Sequence, residues 1–199
     1  MSMKPISSAI STSLKETSIK TTKPHTETGV ATLSSSQQNA ALVRLTEAES
    51  PDKVTRSVIA SVTSLIPSTL EQHTKDFDVK GYVIPDAPLE DLQKALMRVE
   101  SSMIPLPMQE LEQRLTALAL VLMTGKDFDP KFMAAKRKAL AQELINYPAD
   151  IVIAAFDSIK RSKKFWPTLA EFIEDGNIGW RYRPRKLLRD ALKKKVDSV

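Results

Sequence analysis

From Ser50 onward, apolar residues recur every three or four positions in segments that open at a proline, and this rhythm limits the chain to helices packed on helices. A proline suits the first turn of a helix, where its missing N–H loses no partner and its fixed φ is already helical. In a helix interior it removes a bond and clashes with the preceding turn. Ser50–Pro51 and Asp129–Pro130 each put an N-capping side chain in front of such a proline. The first pair predicts a helix to about Leu65, with Val54, Val58, Ile59, Val62 and Ile66 along one side and Pro67 as its stop. A second starts near Pro88, striped by Leu89, Leu92, Leu96 and Val99, and ends at Ile104–Pro105–Leu106–Pro107. A third, over 107–123, gathers Met108, Leu111, Leu115, Leu118 and Leu122 on one face, with Glu110, Glu112 and Arg114 away from it. Gly125 and Lys126–Asp127 turn the chain into a fourth, over 130–146, with Met133, Leu140 and Leu144 inward and Lys131, Lys136, Arg137 and Lys138 outward.

Pro148 opens a fifth helix whose run Ile151–Phe156 is apolar around most of its circumference, as expected of a helix central to its bundle. Its basic end, Lys160–Lys164, suits the negative end of the helix dipole. Thr168–Leu169–Ala170–Glu171 is a capping box for a short helix that stops at Gly176. Pro184 is expected to open a last, basic helix through Leu187, Leu188, Ala191 and Leu192. The expected fold class is all-α, with a small helical bundle over 88–176 and a basic C-terminal helix within 177–199. Residues 38–87 read as one or two helices, one of them over Gln38–Glu49, plus a proline-containing linker over 67–87 with a short extended piece at Tyr82–Ile84. Residues 1–37 are dominated by Ser, Thr and Lys. They offer too little apolar surface to offset backbone ordering, so a disordered Ser/Thr-rich arm is expected there.

The composition removes several function classes. No cysteine is present, which excludes disulfides, thiolate nucleophiles and cysteine-ligated metal sites. The 5 glycines are too scattered for a phosphate-binding loop. His25 and His73 stand far apart in polar stretches. Asp127, Asp129 and Asp150 lie near turns, where Asp129 caps a helix and Asp150 complements a dipole. Met97, Met103, Met108, Met123 and Met133 read as core filling. No catalytic residue, metal-ligand set or cofactor is assigned, and the chain reads as non-enzymatic. The longest apolar stretch, Leu115–Met123, is about half of the roughly 18 residues a spanning helix needs, so no membrane partner is expected.

Charge is distributed unevenly. Residues 1–50 balance at +1, residues 51–149 at −1, and residues 150–199, with twelve basic against seven acidic side chains, at +5. Two stretches interleave cations with rings, as single-stranded nucleic acid requires: cations neutralise phosphates and rings stack on bases. One contains Lys160, Arg161, Lys163, Lys164 and Trp166, with Phe165 between. The other contains Trp180, Arg181, Tyr182, Arg183, Arg185, Lys186 and Arg189. Extended backbone at 180–183 would put Trp180 and Tyr182 on one side and Arg181 and Arg183 on the other. The alternative is structural: Phe165 and Trp166 close the core ahead of the capping box, and the later rings anchor the last helix while the cations stay in water.

The stretch Tyr147–Gly176 resembles a segment of small helical phage replication proteins of the replicative-helicase loader type. The resemblance is carried by Tyr147, Pro148, Ile151, Val152 and Ala155, then by Ser162, Lys164, Phe165, Trp166, Pro167, Thr168, Glu171 and Phe172. It extends at most over 107–176. It implies a phage or prophage replication accessory protein, working in the cytoplasm of a bacterial host cell. Such a protein binds single-stranded DNA or the replicative helicase without a catalytic site of its own. The alternative expectation is a non-catalytic protein-interaction or phage assembly module that binds no nucleic acid.

Overall fold

A computed structural model describes residues 50–122 and 129–199. The arm expected over 1–37, the helix over Gln38–Glu49, and the turn containing Gly125, together with Met123, Asp127 and His25, lie outside the described residues. Within them the chain forms α1 (Pro51–Leu65), β1 (Leu70–His73), β2 (Val79–Val83), α2 (Leu89–Ser101), α3 (Met108–Val121), α4 (Pro130–Leu144), α5 (Ala149–Ser162), α6 (Leu169–Asp175) and α7 (Ile178–Val196). The helical architecture expected from the apolar rhythm is the one found.

The helix starts follow the capping chemistry. The Ser50 side chain accepts the Lys53 N–H, and Asp129 Oδ1 accepts the Lys131 N–H at 2.9 Å. At α6 the capping box is complete: Thr168 Oγ1 accepts the Glu171 N–H, and Glu171 Oε2 accepts the Thr168 N–H at 2.8 Å. Pro88, Pro107 and Pro148 stand at the extended residue just before their helices rather than inside the first turn.

Two apolar cores result. One is built from Leu111, Leu115, Leu118 and Leu122 of α3 and its end, Leu140 and Leu144 of α4, and Phe172 of α6, all gathered around α5. That helix buries Ile151, Val152, Ala155, Phe156 and Ile159, which gives it the central place its sequence predicts. Phe156 and Phe172 meet edge to face with centroids 5.1 Å apart. The second core joins Val62 and Ile66 of α1 and its end to Leu92, Leu96 and Val99 of α2, Tyr82 of β2, and Leu188 and Leu192 of α7. Helix α7 serves both cores, because its first residue, Ile178, is buried in the other one. Fully burying each of these leucines contributes about 1.5–3 kcal/mol, so α7 is an integral element rather than an appended basic helix. Of the methionines, Met103, Met108 and Met133 are half-buried, while Met97 is exposed.

Two elements depart from expectation. Residues 70–83 form an antiparallel hairpin, with Leu70 opposite Val83 and an irregularity between Gln72 and His73, where a linker with only a short extended piece at Tyr82–Ile84 was expected. All of β1 is exposed and only Tyr82 of β2 is buried, so no alternating pattern exists for a sequence to display. The last helix begins at Ile178, six residues before Pro184, which lies inside it. A tight corner sets that start. Gly176 ends α6 where an added Cβ would sit 2.6 Å from Ala155 Cβ and closer still to Phe172 O, and Asn177 takes the left-handed conformation at φ 53°. Asparagine tolerates that region better than most residues.

Candidate functional site

The helical course of 178–196 rearranges the basic stretch. Residues 180 and 182 lie on different sides of a helix, so Trp180 and Tyr182 do not share a face. Tyr182 turns inward and meets Tyr147 edge to face at 5.3 Å between centroids. Trp180 is left 64% exposed.

Arg185 was expected at a nucleic-acid surface, and its position rules that out, for it is 0% exposed. Its guanidinium pairs with both oxygens of Asp150, in the first turn of α5. It also donates to Thr55 Oγ1 at 2.8 Å, to the Ser102 carbonyl at 2.9 Å and to the Pro51 carbonyl at 3.2 Å. One side chain thus ties α7 to α5, to the start of α1 and to the end of α2. The reason lies in helical phase: Arg185, Leu188 and Leu192 fall on one stripe, and that stripe faces the interior.

The other cations divide into engaged and open ones. Lys163 bonds Glu171 Oε1 at 2.9 Å and Asp175 Oδ2 at 2.8 Å, which raises its pKa. Glu171 is held down from its ordinary 4.5 to about 2, first by the Thr168 N–H and then by Lys163 and the Thr168 hydroxyl. Arg189 pairs with Asp190, and Lys195 with Asp86, whose carboxyl it lowers. Arg161 donates to the Asp157 carbonyl. Lys160, Lys164, Arg183 and Lys186 are exposed and make no ion pair among the described residues. Trp166 packs half-buried on the first core, as the structural alternative expects, but Phe165 stays 60% exposed instead of closing that core.

The structure brings Trp180, Arg181 and Arg183 together in a groove of about 610 Å³ between the hairpin, α1 and the start of α7. None of Lys160–Trp166 lines it. Its hairpin wall carries Glu71, Asp78 and Phe77, none of which the sequence marks as functional. Phe77 sits in the turn from Thr74 to Asp78, closed by the Thr74 N–H on the Asp78 carbonyl at 2.8 Å and the Asp78 N–H on Thr74 Oγ1 at 3.1 Å. It has φ 62° and is 87% exposed. The helical wall carries Arg56, Arg181 and Arg183, with Asp52. Arg181 Nε lies 3.8 Å from Asp52 Oδ1, too far for a hydrogen bond, and Nε and Nη1 of Arg181 are buried without a hydrogen-bond partner among the described residues. Among the described residues Arg56 donates only to the Asp52 carbonyl. Pro184, also at the groove, has no N–H to offer the Trp180 carbonyl one turn earlier. Below the hairpin wall, Tyr82 donates to Glu71 at 3.0 Å, and its phenol is pushed up by burial and then by the Glu71 carboxylate.

Among the described residues no three His, Asp or Glu side chains stand close enough to hold a metal ion, and no helix is long and apolar enough to cross a membrane. No protein-family model, curated protein or solved structure matches the chain.

Proposed function

We propose that the chain is a non-catalytic recognition module that docks a partner protein in the groove between the hairpin and the start of α7. The observation that carries this reading is the pair of exposed rings, Phe77 and Trp180, lining one groove with the exposed Arg183. Aromatic residues and arginine supply most binding energy at protein interfaces, because they bury large areas and keep a polar edge. The mixed charge of the walls favours a protein over a polyphosphate. Glu71 and Asp78 would repel phosphates that Arg56, Arg181 and Arg183 attract.

The test uses full-length protein as bait, beside Trp180→Ala at unchanged circular dichroism and melting temperature. Partners held by the wild type and lost with Trp180→Ala support the reading. Identical capture by both overturns it.

A second reading, a phage replication accessory protein that binds single-stranded DNA or the replicative helicase, is favoured by the resemblance at Tyr147–Gly176. It also draws on Arg183, Lys186, Lys193 and Lys194 along α7, which are exposed and pair with no acid among the described residues. If those four cations contact phosphates, the slope of log affinity against log salt for single-stranded DNA is about −3. The slope would flatten in Lys186→Glu and Lys193→Glu.

A further inference from the structure

Phe77 combines two costs. An L-residue with a bulky side chain in the left-handed region crowds its Cβ against the backbone, and a ring 87% exposed gains almost nothing from the fold in return. Glycine or asparagine would close the same five-residue turn with less strain. A strained, solvent-facing aromatic is therefore unexplained by stability, and strain of this kind gathers where a side chain must be presented. Its position supplies the purpose, since it lines the groove that also holds the exposed Trp180.

Resting on the groove reading above, we propose that Phe77 is a recognition residue, and that the groove seats a segment of a partner protein in which an aromatic or aliphatic side chain is flanked by Asp or Glu. The apolar side chain lies against the rings of Phe77 and Trp180. The carboxylates meet the helical wall at the exposed guanidinium of Arg183, which pairs with no acid among the described residues, while Arg181 beside it is turned inward, its Nε 3.8 Å from Asp52 Oδ1. Charge-assisted pairing with an arginine fork is stronger and more directional than a neutral bond, so acid at that edge sets specificity.

The experiment selects a displayed random peptide library on the full-length protein. It then measures selected peptides by fluorescence anisotropy against wild type, Phe77→Gly, Trp180→Ala and Arg181→Gln/Arg183→Gln. Selected peptides should pair an apolar residue with Asp or Glu. Phe77→Gly should weaken binding by about tenfold or more while raising the melting temperature by about 2–4 °C, because relief of strain and loss of the contact act in opposite directions. The arginine double variant should erase the preference for the acidic peptide over its Asn/Gln counterpart and leave apolar selectivity in place. Peptides without acids, or binding unchanged in Phe77→Gly, overturn this inference and leave the groove reading standing. Recovery of no peptide at all overturns both.

Discussion

Replacing Arg185 by methionine keeps much of the side-chain volume and deletes the charge, so it isolates what the guanidinium contributes. The residue makes five hydrogen bonds, two of them to Asp150, and the side chains of Arg185 and Asp150 are 0% and 1% exposed. Methionine in its place leaves a buried carboxylate without a counter-charge and takes away the donors that Thr55 Oγ1 and the Pro51 and Ser102 carbonyls accept from Arg185. Removing one partner of a buried pair costs about 3–5 kcal/mol, because the remaining ion keeps its desolvation penalty and loses the attraction that offset it. Against the roughly 5–15 kcal/mol that holds an ordinary domain together, this is a large fraction. In urea, with a slope of about 2 kcal/mol/M, the unfolding midpoint of Arg185→Met should fall by about 2 M at unchanged slope. The double variant Arg185→Met/Asp150→Leu removes both charges, and an apolar pair in a buried site is commonly neutral or better. It should therefore be more stable than either single variant, a coupling that urea curves of all four proteins read directly. A loss below about 1 kcal/mol in Arg185→Met, or simple addition in the double variant, would refute the argument that this pair joins the two cores. Single-stranded DNA binding lost in Arg185→Met at full stability would return the residue to the surface role its sequence neighbourhood implies.

Two further outcomes follow from the corner between α6 and α7 and from the α6 cap. Gly176 has an ordinary helical φ of −74°, so its constraint is space rather than conformation. Gly176→Ala should cost about 1–3 kcal/mol through overpacking against Ala155, visible as a lowered melting temperature, and Ala155→Gly in the same chain should restore part of it. Glu171 titrates at about 2 when folded and near 4.5 when free, so the folded state binds its proton less readily. Its contribution is complete above pH 4.5 and disappears as the pH falls toward 2. The melting-temperature gap between wild type and Glu171→Gln should therefore close over that window, and a gap independent of pH would show that the charge of Glu171 contributes nothing.

How much of this was legible depended on whether one signal or two acted at a position. Helices α3 to α6 came out near their expected bounds because capping residues, prolines and apolar stripes agreed there. Leu111, Leu115 and Leu118 are buried as their spacing demands, and Thr168 with Glu171 caps α6 as the pattern demands. At the start of α7 two signals conflicted. Pro184 marks a first turn locally, yet Ile178 is buried in the α3–α6 core and the Gly176–Asn177 corner aims the chain into a helix six residues earlier. Interior proline costs about 3 kcal/mol, an amount that the burial of Ile178, Leu188 and Leu192 outweighs. The hairpin gave no periodic signal beyond the extended piece read at Tyr82–Ile84, since one fully buried residue in nine makes no period.

The same distinction separates the site residues. Arg183 and Arg185 are chemically identical and two positions apart, and a count of basic residues treats them alike. Only phase distinguishes them: Arg185 leads Leu188 and Leu192 by three and seven, the spacing of a buried stripe, whereas Arg183 falls on the outward side with Lys186. That signal was present in the sequence but became readable only once the stretch was known to be helical rather than extended. Asp150 offers the converse case. Its partner lies 35 residues away in sequence, and nothing within its own helix announces a buried carboxylate. Phe77 lies further still from anything local pattern can reach, because its meaning comes from a backbone angle and from the ring of Trp180 sharing its groove. What a charge profile reads as one basic surface is physically two things. One is a set of paired cations: Arg185 and Lys163, which join helix to helix, Lys195 on Asp86, and Arg189 on its neighbour Asp190. The other is an exposed set without an ion pair among the described residues, Lys160, Lys164, Arg183, Lys186, Lys193 and Lys194, of which only Arg183 lines the groove that holds Phe77 and Trp180.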